Sequence, residues 1–173
     1  DQNAIDPLAL IREAIRDVEP TATGRQQKIA NVITTVLPLI WVDVDMAHRL
    51  FINLLENAIK FTPVAGRIEI GGQTDGTFVK FWVRDNGPGI SPADQERIFE
   101  KFTRLRRKDR PGGLGVGLAF CRLAVLGHGG EIWVESELDK GTTFWLTLPV
   151  AQKKTTGQLK RQTGRLTMKE TAQ

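Results

Sequence analysis

Apolar residues recur every three or four positions in some stretches of the chain and at every second position in others, so helices and strands can both be placed from the pattern. Pro7 to Val18 predicts a helix with Asp6 as N-cap, Pro at the first position, and Leu8, Ile11, Ile15 and Val18 as its apolar stripe. Gly24 to Gln27 is a loop, Ile29 to Val36 predicts a β-branched strand, and Leu39 to Val42 a second, short one. Asp45 starts another helix, which Pro63 and Gly66 terminate. Arg67 to Gln73 sets Ile68 and Ile70 against Arg67 and Glu69, and Thr77 to Asp85 sets Val79, Phe81 and Val83 against Lys80, Trp82 and Arg84. Ser91, followed by Pro92, opens a short helix to about Phe102. A glycine run then enters a helix of Ala119, Phe120, Leu123 and Leu126, which Gly127, Gly129 and Gly130 end. Ile132 and Val134, then Phe144, Leu146 and Leu148, alternate against polar or aromatic neighbours. This pattern suits an antiparallel or mixed sheet with helices on one face. Trp82, Trp133 and Trp145 fall on the other face, where cross-strand packing is the expectation and a partner patch the alternative.

Within the helix that Asp45 opens, Asn53, Asn57 and Lys60 fall in roughly one 60° stripe. Leu50, Phe51, Leu54, Leu55, Ala58, Ile59 and Phe61 cover the opposite side. A solvent stripe would normally be Lys, Glu and Arg, and two Asn in a helix are unfavourable for propensity, so the stripe is expected to face a ligand. Asp85 shares the parity of the apolar set of its strand, and a carboxylate directed into a core needs a partner. Asn86-Gly87-Pro88-Gly89-Ile90 follows it, a turn whose glycines let backbone approach another group closely.

The composition changes this picture little. The 173 residues, 40% hydrophobic and 25% charged, suit one domain with a sizeable core, or one domain plus a tail. No apolar run approaches the ~18 residues of a membrane span and no signal peptide is visible, so a cytoplasmic domain is expected, its parent free to be membrane-anchored. Asp1 in place of an initiating Met points to a fragment of a longer chain. Cys121 is the only cysteine, which excludes an intrachain disulfide and a Cys-based zinc site and suggests a small buried hydrophobe. The net charge of +4 belongs to residues 151–173, with six basic residues and one acidic. Residues 1–150 hold 18 basic and 19 acidic residues, so the domain itself presents no basic nucleic-acid-binding balance and no nucleic-acid partner is expected. Residues 1–150 are read as the domain and 151–173 as a polar, basic tail or linker.

Residues 103–111 carry five basic residues with no apolar periodicity. The run from Gly112 through Gly113, Gly115 and Gly117 lacks the Lys-Ser/Thr ending of a P-loop, and Gly117 comes one residue early for a dinucleotide fingerprint. At a helix N-terminus such a run nevertheless presents backbone N–H groups and the positive dipole end to phosphates. Lys60 and the basic loop add charge-assisted bonds, an Asn oxygen can complete an octahedral Mg²⁺ shell, and Asp85 can accept from an amino group such as adenine's. Together these features describe a Mg–nucleotide site.

At these residues the chain resembles the catalytic, ATP-binding domain of sensor histidine kinases, in the superfamily that includes gyrase, the heat-shock chaperone ATPase and mismatch-repair ATPases. Asn53-Leu-Leu-Glu-Asn57-Ala-Ile-Lys60-Phe-Thr-Pro resembles the asparagine box, and Asp85-Asn-Gly87-Pro-Gly89-Ile90 the first glycine box. Glu96-Arg-Ile-Phe99-Glu-Lys-Phe102 is similar to the phenylalanine box, Gly113-Leu-Gly115-Val116-Gly117-Leu118 to the second glycine box, and Gly141-Thr142-Thr-Phe to the last. The segment from His128 to Ser136 is also family-like, and the resemblance covers roughly residues 5–149. It implies an α+β fold: a two-layer α/β sandwich with a mixed, mostly antiparallel sheet of about five strands, three main helices on one face, and a flexible ATP lid.

By the same resemblance, Asp85 holds the adenine amine with Thr142 nearby, Asn57 ligands Mg²⁺, and Lys60 and Arg104 contact phosphates. The amides of Gly115, Gly117 and Leu118 cradle the phosphates, and Phe99 and Phe102 pack the lid base. The hydrolytic members resemble one another in a Glu general base four residues before the Mg-binding Asn. Here that position is Asn53, which cannot take a proton, and Glu56 is turned about 100° away. Transfer to a histidine on a dimerisation domain therefore fits better than hydrolysis. His48 and His128 do not fit the acceptor pattern, so the acceptor is expected upstream, in a homodimeric parent that passes the phosphoryl group to a response regulator. The alternatives are a nucleotide-binding regulatory module or an anti-sigma-type serine/threonine kinase of the same fold, and a nucleic-acid or scaffold-binding module that uses the tail.

Overall fold

Residues 1–101 and 116–152 are described by the computed structural model. They form β1 (Gln2–Ile5), α1 (Pro7–Gly24), β2 (Lys28–Asn31), β3 (Ile40–Asp43), α2 (Val44–Phe61), β4 (Arg67–Thr74), β5 (Phe78–Asp85), α3 (Pro92–Gln95), α4 (Gly117–Gly127), β6 (Ile132–Glu137) and β7 (Gly141–Pro149). Five strands make one sheet in the order β2-β4-β5-β7-β6, parallel only between β2 and β4. β1 and β3 pair as a separate antiparallel ribbon, whose Ile40 bridges to Val150 past the end of β7.

The alternation decides which face is covered. Val79, Phe81, Val83, Phe144, Leu146 and Leu148 point to one side and are buried under α1, α2 and α4. α2 packs between the other two helices. Its Phe51 meets Phe81 of β5 edge-on, with ring centroids 5.2 Å apart. Leu50, Phe51, Leu54 and Leu55 are fully buried. Each contributes about 1.5–3 kcal/mol of gross burial free energy, which fixes α2, and the polar stripe it carries, on the sheet. On the opposite face Trp145 lies 5.5 Å from Trp82 and stacks 6.1 Å from Trp133, so cross-strand packing accounts for all three indoles. Among the described residues, no helix is long and apolar enough to cross a membrane.

Several boundaries differ from the sequence reading. α1 runs six residues past Val18, through Pro20, because Val18 and Ala22 continue the buried stripe at four-residue spacing. The strand expected over Ile29–Val36 stops at Asn31, whose side-chain oxygen accepts the Ile33 N–H at 3.1 Å and turns the chain out of the sheet. Val36 is 93% exposed. Asp43, not Asp45, caps α2, its carboxylate accepting the Met46 N–H at 3.1 Å. The helix opened by Ser91 closes after Gln95 instead of continuing to Phe102. In α4 it is Ala119, Cys121, Ala124 and Val125 that are buried, while Leu123 and Leu126 face outward. β1 was not anticipated at all; its side chains are mostly exposed and carry no alternation. The tail expected over 151–173 lies, from Lys153 onward, outside the described residues.

Candidate functional site

α2 presents its stripe as the sequence suggested. Asn53, Asn57 and Lys60 are half-buried, next to a fully buried apolar face, while Glu56 is exposed. The end of the helix is held from outside. Gln27, itself buried, donates its side-chain amide to the carbonyls of Ile59 at 3.0 Å and Thr62 at 2.8 Å, and Arg25 donates to Thr62 O at 3.1 Å.

Asp85 ends β5, where the parity argument points its carboxylate inward, and it is 6% exposed. Its Oδ1 accepts the Gly87 N–H at 2.8 Å, which fixes the carboxylate's orientation at the start of the turn. A Cβ on Gly87 would sit 2.8 Å from that oxygen and from the Phe61 carbonyl. Gly89 has φ +75°, and a Cβ there would collide with the Glu137 carbonyl. Asp139 N–H donates to Pro88 O at 2.8 Å, so the turn is clamped against the β6–β7 hairpin. Across the ladder Asp85 is the register partner of Thr142, which is also buried.

These elements close on a recess of about 10 Å³, lined by Asn57, Phe61, Asp85, Pro88, Gly89, Ile90, Thr142 and Phe144. The fold thus gathers Asn57, Asp85, Gly89, Ile90 and Thr142 from three sequence-distant segments: α2, the end of β5 with its turn, and β7. Phe99 touches the same wall edge-on through Phe144, with centroids 6.1 Å apart. Lys60 lies outside this lining, its Nζ 5.6 Å from the Phe61 ring. Asn53 faces the start of α4, where a Cβ on Gly117 would lie 3.6 Å from its Oδ1. Val116 precedes α4 without a side-chain cap, and Leu118 packs partly into the core, so the first N–H groups of α4 have no side-chain cap from the residue that opens it. Phe102, Arg104, Gly113 and Gly115 lie outside the described residues. A larger open groove of about 710 Å³ beside β6 shares none of the lining of the recess.

The remaining polar contacts sort by role. His128 Nε2 accepts the Asp43 N–H at 3.0 Å while Nδ1 lies 2.6 Å from Ala124 O, so its ring joins the start of α2 to the end of α4. His48 pairs with Asp17 of α1 at 3.1 Å. Both histidines thus make contacts between elements of the fold. Sequence reasoning passed over Ser136 and Gln95. Ser136 Oγ accepts the Ile90 N–H at 2.8 Å, and Gln95 Nε2 donates to Ile90 O at 2.7 Å and Ser136 O at 3.0 Å. The signal for Ser136 was present, since it shares the inward parity of Ile132 and Val134, the same test that singled out Asp85.

An inward carboxylate beside a close-approach turn, an amide on a rigid helix and an uncapped helix start form a set suited to a base at one end and phosphates at the other. Residues 42–152 match the family model described as histidine kinase-, DNA gyrase B-, and HSP90-like ATPase. The adaptive-response sensory kinase SasA of Synechococcus sp. (strain JA-2-3B'a(2-13)) is 42% identical over 143 residues, 82% of this chain and 38% of its own length. The chain therefore spans well under half of that relative. Full-length ShkA in complex with AMPPNP is 31% identical with a TM-score of 0.77, covering 88% of this chain and 32% of its own. Histidine kinase ThkA in complex with the response regulator protein TrrA is 26% identical with a TM-score of 0.73, covering 89% of this chain and 43% of its own. By this match and these relatives, the chain belongs to the histidine kinase-, DNA gyrase B- and HSP90-like ATPase family.

Proposed function

We propose that this chain binds Mg–ATP between α2, the Asp85–Ile90 turn and β7, and presents the γ-phosphoryl group to a histidine on a dimerisation domain of the parent protein. The observation that carries this reading is the buried Asp85 carboxylate, held by Gly87 and sharing one recess with Asn57 and Thr142. Asp85 accepts from the adenine 6-amino group. Gly87, Gly89 and Ile90 bring backbone to the base, and Thr142 and Phe99 define its far wall. The N–H groups of Gly117 and Leu118 at the start of α4, next to Asn53, receive phosphate oxygens. Lys60 adds a cation, and Val116, Gly113, Gly115, Arg104 and Phe102 complete the set expected of the lid.

A metal fits this donor set in one way. Among the described residues no cluster of three His, Cys, Asp or Glu side chains could hold an ion. Asn57 offers one neutral oxygen, which suits Mg²⁺ carried largely by phosphates and water. Mg²⁺ bound there would neutralise phosphate charge. The protein's share of the chemistry is positioning. The incoming imidazole nitrogen forms the N–P bond as the bond to the β–γ bridging oxygen breaks, and ADP departs with that oxygen. With Asn53 where a base for water would stand, hydrolysis is poorly served. The parent is read as a cytoplasmic, homodimeric kinase that hands its phosphoryl group to a response regulator.

The test is γ-labelled ATP supplied to the chain with and without a separately produced helical domain carrying an acceptor histidine. Acid-labile, base-stable label on the helical domain, and none on this chain alone, is the expected result. Label on His48 or His128, or rapid phosphate release without an acceptor, would overturn it.

A further inference from the structure

We infer that Ser136 fixes the direction of the Thr142 hydroxyl, so that the wall of the recess formed by Asp85 and Thr142 offers acceptors only and selects a 6-amino purine over a 6-oxo purine. This rests on the adenine reading of Asp85 given above.

A hydroxyl has one proton and two lone pairs. Ser136 Oγ accepts the Ile90 N–H at 2.8 Å, donates to Gly141 O at 2.9 Å, and lies 2.8 Å from Thr142 Oγ1. With its proton on the Gly141 carbonyl and one lone pair on Ile90, only a lone pair of Ser136 remains to face Thr142. Thr142 must then be the donor of the third bond. The opposite polarity takes the Ser136 proton from the Gly141 carbonyl and leaves a lone pair of Ser136 unused; unmade bonds are costly in a buried site. The arrangement is braced, because Gln95 Nε2 bonds both Ile90 O and Ser136 O and so fixes the spacing between them. Thr142 is 5% exposed, pairs in register with Asp85, and lines the recess.

With its proton committed to Ser136, Thr142 shows the recess lone pairs alone, beside a carboxylate that also only accepts. A 6-amino group can donate to both. A 6-oxo group finds no donor on this wall and faces the carboxylate, a repulsive element that supplies discrimination. Ser136 is thus a specificity-determining residue that acts through Thr142.

The experiment measures the affinities of the 173-residue chain for ATP and inosine triphosphate with Mg²⁺, in the unsubstituted protein, Ser136→Ala, Thr142→Val and the double variant. In Ser136→Ala the Thr142 proton is released toward a 6-oxo oxygen, so inosine triphosphate binds about 3- to 10-fold more tightly than to the unsubstituted chain. The double variant shows no such gain, because the hydroxyl is gone. If Ser136 only props the turn, Ser136→Ala weakens both nucleotides equally, or the double variant behaves as the single one does; either result overturns the inference. Should Ser136→Ala fail to fold, Thr142→Val decides alone: loss of ATP affinity with inosine triphosphate unchanged supports an acceptor, and the reverse overturns it. If the unsubstituted chain binds neither nucleotide, the adenine reading itself falls, whereas normal ATP binding with no gain for inosine triphosphate in Ser136→Ala removes this inference alone.

Discussion

Gln27 and Thr62 are joined by a side-chain hydrogen bond of 2.8 Å that closes the C-terminal end of α2 from the far side of the turn after α1. The same amide reaches Ile59 O at 3.0 Å, so one buried donor group serves two carbonyls at the end of the helix that carries Asn53, Asn57 and Lys60, with Arg25 as a second donor to Thr62 O. Gln27→Leu removes the side-chain donor to Ile59 O and leaves Thr62 O with Arg25 alone. The variant is expected to lose about 1–3 kcal/mol of unfolding free energy, read from a urea titration with unchanged slope. An unchanged midpoint would show that the bond carries no net stability.

Gly89 and Gly76 make a matched pair for the turn beside Asp85. Both have positive φ, +75° and +94°, but a Cβ on Gly89 would run into the Glu137 backbone, whereas one on Gly76 meets nothing within 4 Å. Gly76→Ala should cost only the conformational term, about 1–2 kcal/mol. Gly89→Ala must also push the β6–β7 hairpin off the turn, and is expected to cost clearly more in a thermal melt and to weaken ATP binding at least tenfold. Equal losses in the two variants would contradict the close approach.

Cys121 is buried between α4 and α2, its Sγ 3.7 Å from Leu50 O, and burial pushes its thiol up from 9.0 to about 12. The native thiol stays protonated where the unfolded one ionises. This contribution to stability is therefore fully present below pH 9.0 and is lost as pH rises toward about 12. Over that window it is on the order of 4 kcal/mol. Folded protein at pH 8 should resist alkylation and react only on unfolding, and Cys121→Ala should flatten the decline of stability above pH 9.0. Rapid labelling of the native chain would contradict the burial.

What the sequence showed and what it hid divide along physical lines. The stripe of α2, the inward Asp85 and the indole face were legible because each follows from a period of about 3.6 or 2 that burial enforces. The extension of α1 through Pro20 was not, because a local rule against internal proline was outweighed by the burial of Ala22. The end of β2 at Asn31 and the capping of α2 by Asp43 turned on single side-chain to backbone bonds, which composition does not announce. Gln27 and Gln95 escaped notice for a related reason: their partners lie 35 and 41 residues away in sequence. Ser136 carries a parity signal, but a lone small hydroxyl in a strand does not stand out from ordinary polar positions.

In the proposed site, Asp85 reads the base and Asn57 carries the metal-dependent part of binding. Calorimetric titration of the chain with ATP, with and without Mg²⁺, beside Asp85→Asn and Asn57→Ala, tests it most directly. Saturable binding is expected, falling about 10- to 100-fold in Asp85→Asn with loss of a buried charge-assisted bond, and a Mg²⁺ enhancement that disappears in Asn57→Ala. ATP binding by Asp85→Asn as tight as that of the unsubstituted chain would contradict it.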